Sequence, residues 1–230
     1  MKRARQLFEI PAPGLFHGGR LAEVIDLNDP NNLSRVKIRL YSSDGVADHD
    51  GPVWARVALP FAGDNRGAFL LPDVGDEVLV TFVGGDPRFP IVLGGLWNGG
   101  NTAPASISGG QNRLKVICSK NGVKVTLDDQ DGQEKFVAET PGGQKVTLKD
   151  GPGAVTIEDS NGNSLKLESA GITVTASAKV TVNASQVSVS AGMVNVDAGM
   201  SKFSGVIKCD TLITNAVVSS SYTPGAGNIW

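Results

Sequence analysis

The 230-residue chain is poor in cysteine, histidine and aromatic residues, and it carries almost no net charge. Its formal charge of -2 gives no electrostatic reason to expect a nucleic-acid or anionic-membrane partner. Two cysteines, Cys118 and Cys209, lie far apart, which favours buried free thiols in a cytosolic product over a disulfide framework. The basic start, residues 1–5, is followed by an acidic residue and two prolines, so we expect neither a secretion signal nor a membrane span.

Arrangements of residues that carry catalysis or bind metals are also missing. No serine stands in a Gly-x-Ser-x-Gly motif, no phosphate-cradling glycine loop occurs, and no His-Cys ligand cluster exists. The acidic stretch 128–132 fails the EF-hand template because its glycine is misplaced and no bidentate glutamate follows, so we expect a solvated hairpin turn there. Acidic residues of the second half stand at predicted strand ends rather than as paired carboxylates in a cleft. We therefore expect no enzyme activity, no metal and no cofactor.

What the sequence does contain is glycine and small or β-branched residues. Its 29 glycines exceed the usual share of roughly 7%, and Val, Thr, Ser, Asn and Ala crowd the second half. This composition favours many short strands joined by tight turns, and it predicts an all-β protein.

The first half has the pattern of a small barrel. Several runs alternate, with Val36, Ile38 and Leu40 on one side of a strand and basic residues on the other. Five such runs within about eighty residues match an OB-type five-stranded barrel. The runs are residues 21–27, 35–41, 53–59, 76–83 and 90–97, and turn signals stand at residues 28–32, 43–45, 63–65 and 84–87.

The barrel's aromatic residues admit two interpretations. They could be stacking platforms for single-stranded nucleic acid in an OB-type binder, which would bind oligonucleotides in a salt-sensitive way. Because most of them lie in apolar or alternating runs and the chain is slightly acidic, we expect most of them in the core and expect no nucleic-acid partner. These aromatic residues are Trp54, Phe61, Phe69, Phe82, Phe89 and Trp97.

After a glycine-rich linker at residues 99–110, pairs of apolar residues recur at positions i and i+2. Val125 and Leu127 are echoed by Val146 and Leu148 21 residues later, and from Val146 onward the step shortens from nine or ten residues to seven. A helical seam would need spacings of i+3 or i+4, so each unit is a strand and a turn rather than a heptad. The predicted needle core is Val146, Leu148, Val155, Ile157, Leu165, Leu167, Ile172, Val174, Val180, Val182, Val187, Val189, Val194 and Val196.

Each of these strands has only two large apolar side chains, which is too few to form a core within one chain. Such units gain stability by stacking. We expect three chains to intertwine as a triple-stranded β-helix, each forming one wall of a triangular prism in turn, with six apolar residues filling each layer. The sequence thus predicts a homotrimer.

Two runs carry a family resemblance: 53–60, and 67–99 with its Pro-x-Val-Gly-x-Glu-Val-Leu-Val and Gly-Asp-Pro-x-x-Pro-Ile motifs. They resemble the OB domain of central spike proteins of contractile injection systems, which include phage baseplate spikes, the valine-glycine repeat proteins of type VI secretion and extracellular injection systems. The repeats resemble that family's needle. We expect this chain to differ from some members in having neither the upstream hub domain nor the lysozyme-like insertion, and, because His17 and His49 lie far upstream, in having no His-x-His tip.

The resemblance implies a structural, membrane-puncturing spike that is assembled in the bacterial cytoplasm and joins a separate hub protein to a tip protein of the proline-alanine-alanine-arginine repeat class. The expected divisions are an arm (1–14), the barrel (15–99), a linker and needle entry (100–120), the needle (121–200) and a tip or C-terminal cap (201–230). Candidate hub contacts are Leu7, Phe8 and Ile10, and candidate tip-protein contacts are Tyr222, Pro224, Asn228, Ile229 and Trp230. A simple terminal cap is an equal alternative for the ending.

The main rival function is a trimeric β-helical tail protein that binds or degrades cell-surface polysaccharide. That function needs an exposed carboxylate cleft or aromatic groove. The sequence leaves open whether the particle is a phage, a tailocin or a toxin-delivery system.

Overall fold

The computed structural model describes residue 16, residues 18–41 and residues 51–221. The predicted turn at 43–45, the arm at 1–14 with its hub contacts, and the tip contacts at 222–230 lie outside the described residues. The chain divides into two units, Met1–Lys179 and Val180–Trp230. Apart from the 3-10 turn Val83–Gly85, the described ranges contain no helix, which confirms the all-β prediction.

The first unit begins with a closed five-stranded barrel, as predicted. Its strands follow the order β1-β2-β3-β7-β6, with β6 pairing back onto β1 and with β3 and β7 parallel. This arrangement, antiparallel except for one parallel pair, is the five-stranded barrel pattern of OB folds. The barrel strands are β1 (Arg20–Asp26), β2 (Val36–Leu40), β3 (Val53–Val57), β6 (Glu77–Phe82) and β7 (Pro90–Leu96), and a small hairpin, β4 (Ala62–Gly63) and β5 (Arg66–Gly67), lies between β3 and β6.

Alternation along the strands places every second residue inside the barrel. On β2, Val36 and Ile38 are fully buried, while the basic residues between and after them point outward. The interior holds nine buried side chains, and the Phe16 ring packs on that of Phe82 with centroids 5.0 Å apart. The nine are Ala22, Val24, Val36, Ile38, Ala55, Val78, Val80, Phe82 and Val92. The barrel therefore has a core of its own.

The aromatic prediction for the barrel was wrong for four of six residues. Phe82 is buried and Trp54 half-buried, whereas Phe61, Phe69, Phe89 and Trp97 have more than half of their surface exposed. The reason is that the small barrel is already filled by Val, Ile and Ala side chains, so the larger rings from loops and strand ends have no room inside.

The second part of the first unit is one antiparallel sheet, here called the needle sheet. Its seven strands pair strictly in sequence order, each with its immediate neighbour along the chain. They are β8 (Leu114–Cys118), β9 (Lys124–Asp128), β10 (Lys135–Glu139), β11 (Lys145–Lys149), β12 (Ala154–Glu158), β13 (Ser164–Glu168) and β14 (Gly171–Thr175). The sheet is consistent with the predicted β-helix needle.

The needle sheet refines the expectation that one chain forms successive walls in turn. The backbone pairings of β8–β14 join strands of the same chain, so over residues 114–175 one chain forms a continuous antiparallel sheet. The structure assigns no strand to residues 176–221, where the shortest repeats lie. Within-chain pairing therefore includes the nine- and ten-residue steps and the seven-residue step from Leu165 to Ile172, and it stops before the repeats that begin at Val180.

Candidate functional site

The needle sheet has one apolar and one polar face. Directly paired residues of antiparallel strands project to the same side, and the register pairs Val125 with Ala138, Val146 with Ile157 and Leu165 with Val174. Followed across all seven strands, these pairs form two adjacent rows. The apolar face consists of Ile117, Val125, Leu127, Phe136, Ala138, Val146, Leu148, Val155, Ile157, Leu165, Leu167, Ile172 and Val174, with Lys115 at its edge.

No part of the described chain covers this face. Leu148 keeps 45% and Ile157 47% of its surface exposed, and on the last strand Ile172 reaches 71%. By contrast, eight of the nine barrel core residues are 0% exposed. An exposed apolar area this long marks an interaction surface, because monomeric soluble proteins rarely expose contiguous apolar patches larger than a few hundred Å².

The structure brings together eight of the fourteen predicted needle-core residues. Those from Val146 to Val174 all lie on the apolar face, at registered positions of β11–β14. The other six lie where no strand is assigned, and each has at least 60% of its surface exposed. These six are Val180, Val182, Val187, Val189, Val194 and Val196.

Sequence reasoning missed two strands of this face, β8 and β10. On β10, Phe136 and Ala138 have the same i and i+2 spacing as the other pairs. Phe136 falls near the middle of the 21-residue interval between Val125 and Val146. One further strand, β10, therefore lies in that interval, and a search for any apolar pair, including pairs with phenylalanine or alanine, finds it.

The opposite face of the needle sheet, here called the polar face, is mostly polar and charged, and its apolar residues are Leu114, Val116, Val137 and Ala154. In one row of this face the charge of the side chains alternates between positive and negative across four strands. The row contains the ion pairs Lys124–Glu139 at 2.5 Å and Lys145–Glu158 at 2.8 Å. The hydrogen bond between Lys124 and Glu139 raises the pKa of the ammonium group and lowers that of the carboxyl group. Charge on this face fits a surface that faces water.

Asp128 ends β9 on the polar face and is the buried charged residue of the sheet, with 7% of its surface exposed. Its carboxylate forms ion pairs with Arg113 at 2.7 Å and Lys135 at 3.5 Å. The stretch 128–132 is a hairpin turn between β9 and β10, as predicted, but its first aspartate is engaged with basic residues rather than solvated. Two cations beside one carboxylate disfavour a metal ion at this position.

The turn between β12 and β13 is organised by one carboxylate. Asp159 accepts hydrogen bonds from the backbone N–H groups of Asn161 and Asn163, both at 2.9 Å, and from the Asn163 side chain at 2.8 Å. The Asn163 side-chain bond is the main reason that the pKa of Asp159 falls to about 2. Asn161 and Gly162 form the predicted hairpin turn, and Gly162 has a positive φ of 84°.

The prediction that both cysteines are buried was wrong, since Cys118 and Cys209 are free and exposed in the chain. Cys118 ends β8 on the face opposite to Ile117, so its thiol does not join the apolar rows. Cys209 lies in the part of residues 176–221 where no strand is assigned. The small and apolar character of cysteine therefore did not predict whether either side chain is buried.

Within the described ranges, no group of three or more His, Cys, Asp or Glu side chains could hold a metal ion. The same part of the chain contains no helix with the length and apolar content needed to cross a membrane.

Comparisons with known proteins match both parts of this architecture. Residues 20–97 match the type VI secretion system/phage-baseplate injector OB domain, and residues 135–199 match the phage baseplate V C-terminal trimerisation domain. The first match covers the barrel, and the second covers β10–β14 and the repeats that follow. A barrel joined to a trimerising β-sheet defines the class as a baseplate spike.

The chain belongs to the family of type VI secretion and phage-baseplate spike proteins. It is 33% identical over 112 residues to the type VI secretion system spike protein VgrG4b of Pseudomonas aeruginosa. The aligned segment covers 46% of this chain and 14% of that protein. It is 31% identical over 115 residues to the type VI secretion system spike protein VgrG3 of Vibrio cholerae, and this aligned segment covers 46% of this chain and 11% of that protein. The chain thus matches less than a fifth of the length of these curated relatives.

The family assignment supports a homotrimer that is a structural component of a phage tail-like or secretion particle. The trimerisation-domain match includes five of the seven strands that form the apolar face. The match therefore supports packing of this face against the same face of the other copies.

Proposed function

We propose that this chain is the membrane-puncturing central spike at the baseplate of a contractile injection system, without enzymatic activity of its own. It is assembled in the bacterial cytoplasm and joins a hub protein at its barrel to a tip protein at its C-terminal end. The observation that carries the proposal is the uninterrupted apolar face of the needle sheet, in the region that matches a trimerisation domain.

Three needle sheets, apolar faces inward, make a closed prism. Each wall brings its own backbone hydrogen bonds, so it keeps its shape while the three faces pack. Packing removes about half of each Leu148 and Ile157 side chain from water, and apolar burial contributes roughly 25 cal/mol per Å². The charged outer rows keep the same body soluble.

A prism of this kind is suited to transmitting force. Sheath contraction drives a tube forward, and the spike at its end concentrates the load on a small area without unfolding. From residue 176 the described chain has no strand assigned, while its Val pairs continue every seven residues. Here we propose that the three chains intertwine, so that extracting one strand breaks hydrogen bonds to two others at once.

The two ends have separate proposed partners. The arm with Leu7, Phe8 and Ile10 contacts the hub, and the ending with Tyr222, Pro224, Asn228, Ile229 and Trp230 contacts a tip protein. An apolar Ile-Trp ending favours burial against another protein over exposure to water.

The experiment is complementation of particles that lack the gene for this chain. Wild-type chain is expected to restore baseplates and killing, whereas an Ile157→Asp chain is expected to restore neither, because it places a carboxylate in the trimer core. Thr156→Asp, on the adjacent and opposite-facing position, is the matched control and should restore both.

Two results would contradict the proposal. One is full killing by particles that lack the chain, since a puncturing spike is indispensable. The other is cleavage of capsule or peptidoglycan fragments by the purified trimer, which would favour the polysaccharide-degrading alternative. Truncation after Ser221 tests the tip contact separately, because it should abolish copurification of the tip protein without loss of the trimer.

A further inference from the structure

Two arginines of the barrel region, Arg56 and Arg66, have no partner within the described part of the chain. Both are exposed, and neither forms an ion pair, a hydrogen bond or a ring contact with the described residues. Four other arginines each pair with a carboxylate at 2.6 to 2.8 Å, namely Arg35, Arg39, Arg88 and Arg113. The charges of Arg56 and Arg66 are therefore not neutralised by that part of the chain.

The two unpaired arginines line the same pocket on the barrel surface. Arg56 projects outward from β3, next to the inward-facing Ala55. Arg66 lies on β5, where it pairs with Gly63 across the small β4–β5 hairpin. A Cβ added at Gly63 would lie 2.8 Å from Nε of Arg66, so this arginine side chain lies directly over the glycine. The missing side chain at Gly63 therefore helps to determine where the Arg66 guanidinium group lies.

The remaining walls of the pocket are largely apolar. Phe69 and Leu33 are 72% and 64% exposed, and Leu59 and Leu71 are half-buried. The Leu33 wall is held in place, because the Asp29 carboxylate accepts a hydrogen bond of 2.9 Å from the Leu33 backbone N–H. No carboxylate of the described residues lines the pocket. The pocket therefore combines two positive charges with an apolar surface.

We infer that this pocket binds an acidic segment of a partner protein, with carboxylates on the two guanidinium groups and an apolar side chain against Phe69 and Leu33. Charge complementarity is the argument for this occupant. A guanidinium group binds a carboxylate through two parallel hydrogen bonds, and an anion removes the repulsion between two like charges in one pocket. The inference concerns the barrel surface and does not rest on the puncturing role.

The composition of the pocket favours a peptide over a nucleic acid. A site for a nucleic-acid backbone needs a row of cations that follows successive phosphates, whereas this pocket is lined by two arginines and no lysine. Its exposed leucine and phenylalanine form an apolar surface that suits an aliphatic side chain of a peptide. The pocket therefore fits an acidic segment that also contains a leucine.

The first test measures binding of two fluorescein-labelled peptides to the full-length trimer by fluorescence polarisation. The probe Gly-Glu-Asp-Leu-Asp-Glu-Gly should bind, and its amide counterpart Gly-Gln-Asn-Leu-Asn-Gln-Gly should not. Arg56→Gln and Arg66→Gln should each weaken binding of the acidic probe about tenfold, because each removes a charge-assisted pair of hydrogen bonds. Arg88→Gln is the matched control and should leave binding unchanged, since Arg88 is exposed but already paired with Asp86.

Gly63→Ala tests the position of the Arg66 charge and not its presence. The added methyl group should displace the guanidinium group and weaken binding as much as Arg66→Gln, although both positive charges remain. Gly99→Ala is the control, because a Cβ at Gly99 meets no atom within 4 Å. Binding of wild-type strength by Gly63→Ala would overturn the inference, since net charge alone would then attract the probe.

A third measurement determines whether the pocket is open in the trimer. Phenylglyoxal modifies accessible guanidinium groups, and peptide mapping reports the modification of each arginine. Arg56 and Arg66 should react in the trimer and become protected when the acidic probe is bound. Protection of both in the trimer without the probe would overturn the inference, because a neighbouring copy would then fill the pocket.

Three further results would overturn the inference. They are no binding of the acidic probe to the wild-type trimer, equal binding of the amide counterpart, and tighter binding of single-stranded DNA than of the acidic probe. Each of these results would leave the proposed function intact, because that function is tested by complementation of particles and not by peptide binding.

Discussion

The barrel and the needle sheet are both built from short, mostly antiparallel strands, but they differ in where their apolar side chains go. The barrel closes on itself, so Val36, Ile38 and Val78 are completely buried within one chain. The needle sheet stays open, and Ile157 and Leu148 on its apolar face keep nearly half of their surface exposed. Neighbouring strands are hydrogen-bonded in both, although the open sheet leaves β8 and β14 with one unpaired edge each, so strand pairing by itself does not determine whether a core exists.

This difference separates two kinds of stability. A closed barrel is stabilised by contacts within the chain, so its unfolding free energy does not depend on protein concentration. An open wall is stabilised by contacts with other copies, so its apparent stability follows mass action. The stability of a variant should therefore depend on protein concentration when the mutation lies on the apolar face of the needle sheet. It should not depend on concentration when the mutation lies in the barrel core.

The largest effect is expected from Ile157→Asp on the apolar face of β12. Three copies would bring three carboxylates into one apolar layer, and burying an unpaired charge costs several kcal/mol or shifts its ionisation. We expect the trimer to be lost completely at neutral pH, as measured by native mass spectrometry.

Thr156→Asp is the control for this change, because Thr156 is adjacent on β12 but projects from the polar face, opposite Thr147 and Lys166. It should leave the trimer intact. If Ile157→Asp still forms a stable trimer, or if both variants fail equally, the apolar face is not the trimer interface.

A smaller but still large effect is expected from Ile38→Ala in the barrel. Ile38 is among the largest fully buried side chains, and deleting its methyl groups leaves a cavity that costs about 2–5 kcal/mol. Chemical unfolding monitored by tryptophan fluorescence should give a lowered midpoint that is the same at low and high protein concentration. A midpoint that changes with concentration would mean that the barrel core is not independent of the trimer.

Much of this comparison could be predicted from the sequence, because apolar and polar residues alternate along the strands of both parts. The run containing Val36 and Ile38 predicted a half-buried barrel strand, and all five barrel strands were found at the predicted places. The i and i+2 pairs likewise predicted short strands with one apolar side. Local alternation is visible in sequence because it depends only on the geometry of one strand.

What the sequence did not reveal depends on distances between strands. Filling of the barrel by small side chains left Phe69 and Trp97 outside, although their runs are apolar. Pairing of β8–β14 within one chain could not be told from pairing between chains, because both give the same alternation. The strand β10 was missed because Phe136 and Ala138 are not the Val or Leu pairs of the neighbouring repeats.

A moderate effect is expected at the β12–β13 turn, and it should appear as a pH dependence. The pKa of Asp159 is about 2 in the folded chain against an ordinary 3.8, so its contribution to stability is present above 3.8 and is lost as the pH falls toward 2. We expect Asp159→Ala to be less stable than the wild type at neutral pH, and the two unfolding curves to converge as the pH falls through that window.

A constant difference between wild type and Asp159→Ala at every pH would contradict this account, because the carboxylate would then contribute nothing through its charge. Asp159→Asn provides the control, since it keeps the size of the side chain and removes its ionisation. Its difference from the wild type should also shrink at low pH.

The smallest effect is expected on the polar face, at the pair Lys145 and Glu158. Both side chains are more than a third exposed, and exposed ion pairs contribute about 0.2–1 kcal/mol, less at high salt. Lys145→Glu should therefore weaken the trimer only slightly, and the double change Lys145→Glu with Glu158→Lys should recover part of the loss at low salt. Thermal unfolding in low and high salt measures this recovery. A loss as large as that of Ile157→Asp would mean that the polar face, and not the apolar one, is turned toward the other copies, which would reverse the assignment of inside and outside in the prism.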